Sequence, residues 1–89
     1  MIKDSTQHSK SIVLAEETVR FGGMILDYRL AAYPSRNERF RIRITSGDER
    51  AESAIGNDIE AALRAYRAIL RGRVTPCGLE DVVYDLKSV

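Results

Sequence analysis

The sequence predicts one α+β domain: a three- to four-stranded antiparallel meander followed by two C-terminal helices packed on one of its faces. Three observations carry that prediction. Residues 39–44 read Arg-Phe-Arg-Ile-Arg-Ile, an alternation of period two that a pleated strand sorts into a wet and a dry side. Gly22-Gly23 separates two runs rich in β-branched and apolar residues, the mark of a tight hairpin. After Gly56 the apolar spacing lengthens from two to three or four, the period of an amphipathic helix.

In chain order, residues 1–10 are polar and aperiodic and are expected to form a disordered tail, which leaves residues 11–89 as a single domain. Ile12 to Phe21 makes the first strand. Met24 to Tyr33 makes the second, with Met24, Leu26, Tyr28 and Leu30 on one face and Asp27 and Arg29 on the other. Tyr33-Pro34-Ser35-Arg36-Asn37 is a loop. The third strand then sends Phe40, Ile42 and Ile44 to the core and Arg39, Arg41 and Arg43 to water. Ser46-Gly47-Asp48 supplies a turn, and Arg50 to Ile55 a short polar edge strand. Asn57 is the expected N-cap of the first helix, with Glu60 at the capping-box position and Asp58 facing the positive end of the dipole. Ile59, Leu63, Tyr66 and Leu70 form its apolar stripe and Gly72 ends it. Thr75 and Pro76 start a second helix, whose buried side is Leu79, Val82, Val83 and Leu86.

Composition narrows the function classes. Hydrophobic residues at 44% and charged ones at 30% suit a globular chain rather than a disordered one. The net charge of +1 excludes the bulk attraction of a strongly basic nucleic-acid binder. Cys77 is the only cysteine, so no internal disulfide forms and no thiolate zinc cluster assembles. The first ten residues lack an apolar signal core, and no apolar run approaches the roughly 20 residues that span a bilayer. A cytoplasmic location is the expectation, with no membrane contact.

The segment Val74-Thr75-Pro76-Cys77-Gly78-Leu79-Glu80-Asp81-Val82-Val83-Tyr84-Asp85 resembles the closing V-T-P-x-x-L-x-D-V-V-x-D stretch of a family of small uncharacterised bacterial proteins. The resemblance would extend over residues 12–86, with these twelve residues its specific part. That family is a domain of unknown function. The resemblance therefore implies the layout described above and no activity, cofactor or catalytic residue.

Catalytic groups are sparse. His8, the only histidine, sits in the expected tail, where it has no fixed geometry for proton transfer. Serine and cysteine then lack a histidine partner, which removes the usual triads. Cys77 can be read as a thiol activated at a helix start, or as a small buried residue filling a gap; the second reading is preferred. The pairs Glu16-Glu17, Asp48-Glu49 and Glu80-Asp81 diverge on strand or helix alike and focus on no shared point. No metal site, phosphate-binding glycine loop or cofactor is expected.

Arginine is the departure from an ordinary surface, accounting for eleven of the fourteen basic residues. Arg39, Arg41 and Arg43 share a strand face, while Arg64, Arg67 and Arg71 share a helix face. Residues 20–43 hold six positive and two negative charges, whereas residues 74–89 hold one positive and three negative. A solvated outer face laced with ion pairs explains this pattern, and so do two functional readings. One is a small non-enzymatic protein-interaction module, with a homodimer as one form of it. The alternative is weak, sequence-tolerant nucleic-acid binding through the six arginines.

Overall fold

A computed structural model of the chain describes residues 11–87. The expected tail over residues 1–10, His8 included, lies outside the described residues. Four strands, β1 (Ile12–Phe21), β2 (Met24–Ala32), β3 (Phe40–Ser46) and β4 (Glu49–Gly56), form one sheet in the order β1-β2-β3-β4. Every neighbouring pair is antiparallel. Helix α1 (Ile59–Arg71) follows, then a short 3₁₀ turn over Pro76–Gly78 and helix α2 (Leu79–Lys87). The fold is therefore a four-stranded meander with two helices packed on one side, as the periodicities predict. The fourth strand is longer than its polar sequence suggests, because it pairs with β3 from Ser46↔Glu49 to Phe40↔Gly56.

The β1–β2 turn needs positive φ at both central positions, and Gly22 and Gly23 hold 57° and 81° there. That places Phe21 opposite Met24 and fixes the register of the hairpin. Near its start β1 carries a bulge at Leu14, where pairing jumps from Val13↔Ala31 to Ala15↔Leu30.

Alternation along β2 and β3 builds the core. Leu26, Tyr28 and Leu30 from β2 meet Ile42, Ile44 and Phe40 from β3, joined by Ile55 of β4. Ala62, Ala65, Tyr66 and Ile69 of α1 and Leu79 and Val83 of α2 close over them. The helices pack on β2, β3 and β4, with α2 mainly against β4. Two tyrosines place their hydroxyls inside this layer. Tyr28 donates to the Val74 carbonyl oxygen at 2.9 Å, pinning the link between the helices to the middle of the sheet. Tyr66 reaches the Tyr28 carbonyl at 3.5 Å, a weaker bond.

Local details differ from the sequence reading. The N-cap of α1 is Asp58, whose carboxylate accepts from the Glu60 backbone N–H at 3.2 Å. Asn57 is used elsewhere: its Oδ1 accepts from the Arg39 N–H at 2.8 Å and closes the loop before β3. Gly72 does end α1, yet it keeps helical φ (−82°), and Arg73 takes the left-handed conformation at φ 52°. Arg73 N–H bonds the Leu70 carbonyl and Val74 N–H the Ile69 carbonyl, the paired bonds of a Schellman ending. Ile59 and Leu86, expected in the apolar stripes, are exposed, the first at the start of its helix and the second near the end of its own.

Candidate functional site

Two surfaces of the sheet remain uncovered: the face opposite the helices and the outer edge of β1. On the open face the register aligns side chains in rows across the four strands. One row reads Glu16, Arg29, Arg43, Glu52, and the next Thr18, Asp27, Thr45, Arg50. Arg29 grips Glu16 through both Nε (3.1 Å) and Nη2 (2.8 Å). Arg41 reaches diagonally to Glu52 at 3.3 Å. Thr18 donates to Asp27 at 2.6 Å. Arg43, half-buried between these groups, has no ion-pair partner among the described residues. Its guanidinium borders a shallow depression lined by Glu16, Asp27, Arg29 and Thr45. Arg29, Arg41 and Arg43 thus adjoin at the centre of the face, with Glu16 and Glu52 bordering them on either side.

The six arginines singled out by sequence do not come together. Arg41 and Arg43 stand on the open sheet face. Arg39 lies one residue before β3, in the loop that Asn57 closes, where its carbonyl accepts from the Tyr33 N–H at 2.7 Å. Arg64, Arg67 and Arg71 are exposed along the outer side of α1, opposite its buried Ala62, Ala65, Tyr66 and Ile69. The helix layer and the sheet lie between the two groups. Cys77 is exposed in the 3₁₀ turn, correcting the expectation of a buried gap-filler; Pro76 beside it takes the buried place. Among the described residues no group of three or more His, Cys, Asp or Glu side chains is placed to hold a metal ion, and no helix is long and apolar enough to cross a membrane.

The β1 edge was not singled out by sequence reasoning. None of its ten residues is buried, and only Ala15 and Val19 are half-buried against the core. Ile12, Val13, Leu14 and Phe21 are all exposed, as are Met24 and Ile25 across the hairpin. A long strand with exposed apolar residues at both ends and one unpaired edge is an open template. β1 contains no proline and no lysine and its single bulge lies at one end, so its guards are the charges of Glu16, Glu17 and Arg20. The opposite edge strand, β4, is charged to the same extent through Glu49, Arg50 and Glu52, and differs in having α2 packed against it.

Comparison with family models, curated proteins and solved structures finds no match to this chain.

Proposed function

We propose that the chain is a non-enzymatic protein-interaction module whose contact element is the outer edge of β1, which takes up an extended segment by strand addition. The observation that carries this reading is a ten-residue edge strand without one buried residue, ending in exposed Phe21 beside exposed Met24 and Ile25. Strand addition satisfies the free backbone groups and covers apolar side chains in one step. Nucleic-acid binding draws less support, because ion pairs to Glu16 and Glu52 engage two of the open face's arginines and the helix arginines point the other way.

The test follows backbone amides of the isotope-labelled chain from high dilution, first as the chain is concentrated and then as native lysate is added. Strand addition shifts and protects the amides of Glu16, Thr18 and Arg20 and leaves Arg64, Arg67 and Arg71 unchanged. Shifts confined to the α1 arginines, or none at all, would overturn the proposal.

A further inference from the structure

We infer that the segment taken up by β1 is β1 of a second copy of this chain, joined antiparallel about a two-fold axis through Thr18. This inference rests on the reading of β1 as the contact element. Three features of the strand fix both partner and register.

The first is length. Regular pairing in β1 is bounded by the bulge at Leu14 and the turn at Gly22, leaving residues 15–21. An antiparallel segment that pairs with itself along its whole length must be centred on its middle residue, which is Thr18.

Hydrogen-bond parity supplies the second feature. In a two-residue hairpin the residues flanking the turn form a hydrogen-bonded pair, here Phe21 and Met24. Counting back by twos, Val19, Glu17 and Ala15 also direct their backbone groups toward β2. Arg20, Thr18 and Glu16 direct theirs outward. A two-fold at Thr18 sets Thr18 against Thr18 and Glu16 against Arg20 of the other copy, using all of these outward groups in about six bonds. A centre between Glu16 and Glu17 would match inward-facing groups with outward-facing ones.

Charge is the third. Glu16, Thr18 and Arg20 share the open face, since they stand opposite Arg29, Asp27 and Ile25. The Thr18 register places each Arg20 beside the Glu16 that already holds Arg29, adding an opposite charge to the end of that row across the join. Arg20 has no ion pair within its own chain among the described residues. On the helix side, exposed Phe21 falls on Ala15 of the other copy, a large ring over a small residue. The product is a continuous eight-stranded sheet.

Sedimentation across a concentration series tests this, with circular dichroism confirming that each variant is folded. The wild-type chain should pass from monomer to dimer. Arg20→Glu faces Glu16 with a like charge twice over and should weaken the dimer about tenfold or more; Glu16→Arg should do the same through paired arginines. Mixed together, the two variants present Glu to Arg at both contacts and should form a heterodimer. A wild-type chain that stays monomeric throughout, or variants that dimerise as well as wild type, would overturn the inference. If the wild type is monomeric while its β1 amides still shift in lysate, the second-copy inference falls and the interaction module stands. If those amides also remain unmoved, both fall.

Discussion

Tyr28 shows how much one side chain can hold in a small fold. Its ring lies at the centre of the core and its hydroxyl serves a backbone carbonyl 46 residues further on. Tyr28→Phe leaves that carbonyl oxygen without its partner and should cost about 1–3 kcal/mol in a denaturant titration. Tyr66→Phe gives up only a 3.5 Å contact and should cost clearly less, about 0.5 kcal/mol. Burial pushes the Tyr66 phenol up to about 12, with Glu17, Glu16 and Tyr28 adding to the effect. Burial also raises Tyr28, against the opposing charge of Arg73. Below about pH 10 the Tyr66 phenol is neutral in folded and unfolded chains alike. From there to about pH 12 only the unfolded chain releases its proton, so stability must fall across that window. Melting curves at rising pH should show the decline, and Tyr66→Phe should flatten part of it. That both tyrosines belong to the core was legible from their place in the apolar stripes; their hydroxyl partners were not, because those lie far away in sequence.

Among the elements, the end of α1 carries a correctable strain. Arg73 occupies a left-handed conformation that suits glycine, while Gly72 beside it occupies a helical one that most residues adopt. Arg73→Gly should stabilise the chain by about 0.5–1 kcal/mol, net of the side-chain bond from Arg73 to the Leu70 carbonyl, as read by a higher unfolding midpoint. The sequence marked the right place and the wrong residue. A glycine near a helix end signals a stop, but which position turns left-handed depends on the two closing bonds to Leu70 and Ile69. The N-terminus repeats the point, since Asn57 and Asp58 are both good caps and the choice was made by a distant donor, the Arg39 N–H. Strands β2 and β3 were the most legible elements, because alternation reports directly on a half-buried pleat.

At the scale of the whole molecule, placement decides what charge can do. Eleven arginines look like a binding surface on paper, yet the fold divides those singled out between two sides and a loop. Short duplex DNA and single-stranded RNA, titrated at low salt, should therefore show no saturable binding; tight binding that weakens steeply with salt would contradict this. The β1 edge was hidden from sequence reasoning for a related reason. Its apolar residues resemble those of any strand until one knows that β1 ends the sheet and that the helices settle over the other three strands.

The contrast between the two rims of the sheet has a consequence for growth. A head-to-head join consumes the open rim of both molecules at once, and what it leaves outermost is β4 on either flank, braced by α2. Such a pair is a dead end for polymerisation, so the feature that would otherwise seed fibres becomes self-limiting at two.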